Sequence, residues 1–224
     1  DQVLRARAVP STLAGMMWLR MCVVAVGLAF SVLVARAEPV TLLALGDSLT
    51  AGLGLDAAQA FPAQLEAALK AKGHDVRIVN AGVSGDTARQ GAERLDWALT
   101  EDVNGVLVEL GANDALRGLP PEQAGAALDE ILTKLTARKL PVLVLGMRAP
   151  PNLGPDYVAA FDGLYAPLAA KHGALLYPFF LDGVAGDTKL NQADGIHPTA
   201  EGVGLIVQKV LPQAEALLAR IEGR

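Results

Sequence analysis

Cysteine is all but missing: the 224-residue chain has one, Cys22. That excludes an intramolecular disulfide and any cysteine-rich zinc site. An excess of positive charge is missing too. The formal net charge is −5, so the chain carries no basic footprint for nucleic acid. Aromatic residues make up only 4%, which leaves little for stacking against sugars. No H-E-x-x-H, Walker loop or paired-histidine spacing occurs, so neither a metal nor a nucleotide cofactor has a motif. What is plentiful is apolar: 52% hydrophobic against 19% charged, with 23 glycines and 13 prolines. Such a chain is too apolar to be disordered, and too rich in Gly and Pro for a coiled coil.

Residues 21–34 (MCVVAVGLAFSVLV) form a 14-residue apolar run. As a helix it reaches about 21 Å, short of the roughly 30 Å hydrocarbon core. Arg20 precedes it and Ala35-Arg36-Ala37 follows. A positive flank, a short apolar core and a small-x-small end describe a secretory signal peptide, with cleavage expected after Ala37. An uncleaved anchor is the alternative. Cleavage removes Cys22, and a thiol-free remainder suits an oxidising compartment, so a periplasmic or secreted location without a stable membrane span is expected. Residues 1–15 precede the first methionine, Met16, and read as vector-derived or as a mis-assigned start. Residues 221–224 match a protease site common in expression vectors. The folded unit is expected to be a single domain over 38–224.

Within it, short apolar runs at 40–45, 76–79, 105–110, 141–145 and 174–177 read as buried strands. Between them lie helical patterns at 62–72, 88–99 and 121–138, the last with Leu128, Ile131, Leu132 and Leu135 on one face. Residues 154–171 read as loop then helix, and 199–219 as a final helix bent near Pro212. Unbroken apolar strands alternating with helices imply a five-stranded parallel sheet covered on both faces, a three-layer α/β/α sandwich. Ligands of doubly wound sheets bind beyond the carboxyl ends of the strands.

Four motifs fall there: Gly46-Asp47-Ser48-Leu49 after the first strand, Asn80 to Thr87 (NAGVSGDT) after the second, Gly111-Ala112-Asn113-Asp114 after the third, and Asp194-Gly195-Ile196-His197 before the last helix. Together they contain the parts of acyl transfer. A serine hydroxyl needs a base to take its proton, and a neutral imidazole serves. A carboxylate on the other ring nitrogen sets the tautomer, and Asp194 lies three residues before His197. A tetrahedral oxyanion needs donors, which the Asn113 amide and the backbone N–H groups of Ser48 and Gly85 can supply.

Each motif alone has a plain alternative: GDS as a polar turn, GAND as an Asx turn. Taken in order, the four resemble the blocks of SGNH (GDSL-type) hydrolases. The stretches LLALGDSLTAG, VNAGVSGDTARQG, VLVELGANDALRG and DGIHPTAEG extend the similarity to bacterial periplasmic thioesterase/lysophospholipase-type esterases and arylesterases. The resemblance implies a flavodoxin-like fold and no cofactor. It makes Ser48 the nucleophile, His197 the base and Asp194 its orienter, with Ser48, Gly85 and Asn113 as oxyanion donors. It implies a monomer acting on small acyl or aryl esters, acyl thioesters or lysophospholipids. A carbohydrate or peptidoglycan O-acetyl esterase would use the same site but would want aromatic loops. An inactive esterase-like binding module would have lost a Ser, Asn or His from the blocks.

The remaining residues sort by simpler expectations. His74 and His172 each end a helix and are read as exposed C-terminal residues favourable to the helix dipole. Asp47 and Asp86 are expected to point away from a forming oxyanion and to hold turns through backbone N–H groups, and Asp114 likewise. Trp97 is read as core. The loops at 115–120 and 147–157 are expected to form the acyl pocket, with Leu116, Leu119, Leu153 and Tyr157 as its apolar candidates; loop anchoring is the alternative for these four.

Overall fold

The computed structural model describes residues 38–223; the expected leader, its cleavage point and residues 1–15 lie outside them. The strands are β1 (Val40–Gly46), β2 (Val76–Gly82), β3 (Gly105–Glu109), β4 (Val142–Leu145) and β5 (Leu175–Tyr177). They form one sheet in the order β2-β1-β3-β4-β5, with every neighbouring pair parallel. This is the expected doubly wound α/β fold, in flavodoxin-like order. β3 and β4 are buried along their whole length and β1 along all but its first residue, which is why they read as unbroken apolar runs.

The helices are α1 (Ser48–Ala51), α2 (Phe61–Ala71), α3 (Ala88–Ala98), α4 (Ala112–Leu116), α5 (Pro121–Ala137), α6 (Pro155–Asp162), α7 (Tyr165–His172) and α8 (Ala200–Glu222). α2 packs with α8, while α5 packs with α3 and with α7. Their starts follow local chemistry. Pro62 and Pro121 sit in first turns, where a missing N–H is harmless. Thr87 caps α3 by accepting the Gln90 N–H at 3.3 Å, and Gln90 reciprocally accepts the Thr87 N–H at 2.9 Å. Thr199 caps α8 by accepting the Gly202 N–H at 3.2 Å. Leu128, Ile131, Leu132 and Leu135 are all buried. No described helix is long and apolar enough to cross a membrane.

Several elements differ from the sequence reading. β2 continues to Gly82, because Asn80, Ala81 and Gly82 pair with Ala44, Leu45 and Gly46 of β1. Residues 154–171 hold two helices, α6 and α7. α8, one helix with Pro212 inside it, runs on to Glu222. Ile221 packs on the core, its Cδ1 filling the space a side chain at Gly105 would need. Trp97 is 87% exposed, not core. The buried face of α3 is Ala88, Gly91, Ala92 and Leu95, and position 97 lies two residues round from it, on the far side. His172 is largely buried rather than exposed, with Nε2 2.6 Å from Asp129 Oδ1.

β1 ends in contact with everything that matters next. Gly46 lies opposite Gly82 on one side and Glu109 on the other. The turn carrying Ser48 folds back so closely over β2 that a Cβ on Gly82 would lie 2.2 Å from the Ala51 nitrogen and 2.8 Å from the Asp47 oxygen. Both obstacles are backbone. Gly82→Ala should therefore destabilise the protein by about 1–3 kcal/mol, as overpacking does, and also lower activity, because the displaced turn carries Ser48. Urea unfolding checks this; an unchanged midpoint would contradict it.

Candidate active site

The four motifs meet at the carboxyl rim of the sheet. Ser48 follows β1 as the first residue of α1, and His197 comes from the loop before α8, 149 residues later. Their side chains are in contact: His197 Nε2 lies 2.8 Å from Ser48 Oγ. The other ring nitrogen, Nδ1, lies 2.6 Å from Asp194 Oδ2. A carboxylate only accepts, so Nδ1 carries the hydrogen and Nε2 is free to accept the Ser48 hydroxyl. Asp194 Oδ1 accepts the backbone N–H of Ile196 and of His197, at 2.9 and 3.0 Å. The imidazole bond first, then these N–H groups, hold the Asp194 carboxyl well below the usual carboxylate range. It is a charged acceptor at neutral pH.

The candidate anion donors Gly85 and Asn113 line the same cavity as Ser48 and His197. The N–H groups of Ser48 and Gly85 have no backbone acceptor among the described residues. Gly85 has φ +89°, a left-handed conformation that a side chain would strain. The Asn113 amide is held from two directions: its Nδ2 donates to Asp47 Oδ2 at 2.9 Å and to the Asp86 carbonyl at 3.0 Å. This revises the expectation for both aspartates. Asp47 does hold a turn, accepting the Leu49 N–H at 3.0 Å, but its second oxygen reaches Asn113 rather than pointing away. Asp86 pairs with the Arg94 guanidinium at 2.5 Å instead of with a backbone N–H, and Arg94 also donates to the Gly46 carbonyl at 2.9 Å. Asp114 fits its expected role, accepting the Ala88 N–H at 2.8 Å.

Ser48 and His197 open on a cavity of about 630 Å³, a size that holds a small organic ligand. Of the four expected apolar residues only Leu116 lines it. Leu119, Leu153 and Tyr157 do not. Tyr157 donates its hydroxyl to the Leu119 carbonyl at 2.6 Å and packs with Leu153 against the core, so these three anchor loops. Met147, Pro150 and Pro151 form one wall, as the 147–157 loop was expected to. Further apolar lining, Phe179 and Leu181, comes from the segment after β5, beside the 147–151 loop, where Arg148 lies 5.0 Å over the Phe179 ring. That segment has no motif, and nothing in its sequence marks it as part of a site.

Two further residues position the site without a motif. Gln192 accepts nothing from the triad, but its side-chain amide donates to the Leu53 carbonyl at 2.8 Å and to the Pro198 carbonyl at 3.0 Å. It thereby ties the serine loop to the histidine loop. Its own N–H donates to the His197 carbonyl at 2.7 Å. Glu109, 1% exposed, lies under the serine turn. A lone acid inside the apolar run VLVEL is a legible signal for such a residue.

A parallel α/β sheet with a Ser–His–Asp chain and converging N–H donors at its carboxyl rim is the equipment of an ester hydrolase. The comparisons with known proteins agree. Residues 44–205 match the GDSL-like Lipase/Acylhydrolase family. Esterase TesA of Pseudomonas aeruginosa is 43% identical over 192 residues, covering 85% of this chain and 96% of the relative. Thioesterase 1/protease 1/lysophospholipase L1 of Escherichia coli is 39% identical over 179 residues, covering 80% and 85%. The crystal structure of AlinE4, an SGNH-hydrolase family esterase, superposes with a TM-score of 0.69 at 46% identity, covering 82% of this chain and 99% of that one. The chain belongs to the GDSL-like lipase/acylhydrolase family, and it is a carboxylic ester hydrolase.

Burial pushes the Asp47 carboxyl up to about 6, against hydrogen bonds from Leu49 and Asn113 that pull it down. The folded state thus keeps this proton to higher pH than the unfolded state, whose carboxyl ionises near 3.8. The resulting loss of stability is absent below pH 3.8 and grows as pH rises towards about 6. Asp47→Asn should remove that slope, so the variant gains on the wild type in chemical unfolding between these limits. It should also replace one of two acceptor oxygens by an NH₂, and set that donor against the Leu49 N–H or the Asn113 NH₂. Loss of a charge-assisted bond, about 1.5–3 kcal/mol, predicts a roughly ten- to hundredfold fall in kcat/KM. Full activity in the variant would show that Asp47 does not orient Asn113.

Proposed function

We propose that the protein is an exported serine esterase that works through an acyl-serine intermediate. The observation that carries this reading is the unbroken chain Asp194–His197–Ser48 at the mouth of an apolar cavity, with contacts of 2.6 and 2.8 Å. Ser48 Oγ attacks the substrate carbonyl carbon while His197 Nε2 takes its proton. The carbonyl electron pair moves to oxygen, where the N–H groups of Ser48 and Gly85 and the Asn113 amide receive the charge. The amide must release the Asp86 carbonyl to do so, while Asp47 keeps hold of its other hydrogen. The imidazolium, stabilised by Asp194, gives its proton to the departing alcohol or thiol. Water then attacks the acyl-serine with His197 again as base, and the acid leaves.

The cavity walls favour an acyl or aryl group over a sugar. The relatives' names, esterase, arylesterase, thioesterase and lysophospholipase, support small acyl and aryl esters, acyl thioesters and lysophospholipids as the substrate range. Action outside the cytoplasm completes the reading and rests on the expected leader; a monomer is what the family resemblance implies.

A p-nitrophenyl ester series of increasing acyl length, run beside an acyl thioester and a lysophospholipid, tests it. Ser48→Ala should abolish turnover of all three; equal activity would remove Ser48 from the mechanism. Asn113→Ala should lose about 10²–10³ in kcat, the usual effect of one oxyanion donor, and a loss under about fivefold would contradict its role. His197→Ala should remove the base and cut kcat by several orders of magnitude; near-wild-type activity would argue against His197.

A further inference from the structure

We propose that Glu109 is a positioning residue for the nucleophile turn, that it works as the uncharged acid, and that its ionisation sets the alkaline limit of activity. Glu109 ends β3 directly opposite Gly46, one residue before the turn begins. It is 1% exposed. Its Oε2 accepts the Thr50 hydroxyl at 2.7 Å and lies 3.4 Å from the Asp47 nitrogen. Those two residues bracket Ser48, so one oxygen braces both ends of the turn from below. Oε1 is buried and has no hydrogen-bond partner. An ionised carboxylate here would leave half its charge uncompensated in a dry interior, which is costly.

None of the surrounding charges repairs this. The nearest, the Asp47 carboxylate, has the wrong sign. Arg94 on α3 is engaged by Asp86 and the Gly46 carbonyl. Asp114 on α4 accepts from Ala88, and Tyr165 on α7 donates to the Leu110 carbonyl at 3.0 Å. His197 is held between Asp194 and Ser48. Two adjoining buried carboxyl groups do not both ionise readily. Asp47 has the stronger claim to the charge, because each of its oxygens meets an N–H donor, from Leu49 and from Asn113, whereas Oε1 of Glu109 meets none. The proton therefore belongs on Glu109. Burial first, then the Asp47 carboxylate, push the Glu109 carboxyl well above its ordinary range.

A neutral Glu109 keeps Oε2 as a carbonyl acceptor for Thr50 and Asp47. Once it ionises, it repels Asp47, and through Asp47 it disturbs the bond that aims Asn113. It also adds negative charge close to a site that must stabilise an oxyanion. Activity then falls on the alkaline side.

The inference rests on Ser48 being the nucleophile, so one readout must not depend on turnover. Glutamate labelled with ¹³C at the side-chain carboxyl gives it in the intact wild-type protein. One glutamate should remain protonated at neutral pH and titrate with the alkaline limb of kcat/KM. It should behave the same in Ser48→Ala, which loses activity. Glu109→Gln, a neutral isostere, should remove that signal, keep kcat/KM within about threefold at neutral pH and abolish the alkaline fall. Glu109→Ala, losing the acceptor, should fall by about tenfold or more. The proposal is overturned if every wild-type glutamate is ionised at neutral pH. It is equally overturned if Glu109→Gln keeps the wild-type alkaline limb, or if Glu109→Ala is as active as Glu109→Gln.

Discussion

β1 leaves the sheet between β2 and β3, with Gly46 paired to Gly82 on one side and Glu109 on the other. The order of the strands reverses direction at this point, so the helices on either side diverge and leave a crevice at the rim. Ser48 stands two residues beyond Gly46. The loop after β2 brings Gly85, the loop after β3 brings Asn113, and the loop before α8 brings His197 back across 149 residues. Parallel strands all finish at one edge, and only that constraint lets four distant pieces of chain share a few ångströms. Each approach depends on small residues: the closeness of the α1 turn to Gly82 allows no side chain there.

Two buried carboxyl groups lie behind the rim. Asp47 is fully buried and Glu109 nearly so, beside a site proposed to receive a developing anion. Asp47 resolves part of this conflict by spending its charge on N–H donors, including the amide that would face the oxyanion. Asp86 resolves its own part by pairing with Arg94. The buried acids thus aim donors rather than act on substrate. The exposed Asp194 differs from both, being fixed as an anion by His197 and two backbone N–H groups. Carboxyl groups of the same chemistry take different parts because burial and donor count differ.

Much of the fold could be read along the chain. The apolar strands and the faces of α2, α3 and α5 have periods that survive folding, and the capping of α3 and α8 follows from Thr87 and Thr199 as local chemistry. Where the reading failed, a neighbour decided. β2 is longer because β1 offers pairing partners as far as Gly46. Trp97 is exposed because an aromatic residue is no guide to which side of a helix meets the sheet. Tyr157 and Leu119 look like pocket residues until their mutual hydrogen bond turns them toward each other. Phe179 and Leu181 become a cavity wall only because β5 ends beside β4.

The order of residues by itself settled the alternation of strands and helices, the parallel sheet, and the identity of the polar groups waiting at strand ends, because short-range patterns and motif spacing are carried along the chain. The tertiary structure alone decided which of those groups touch, which acids are buried together, and what shape the cavity takes. Contacts, burial and electrostatic coupling are properties of pairs far apart in sequence, and no local pattern encodes the distance between them.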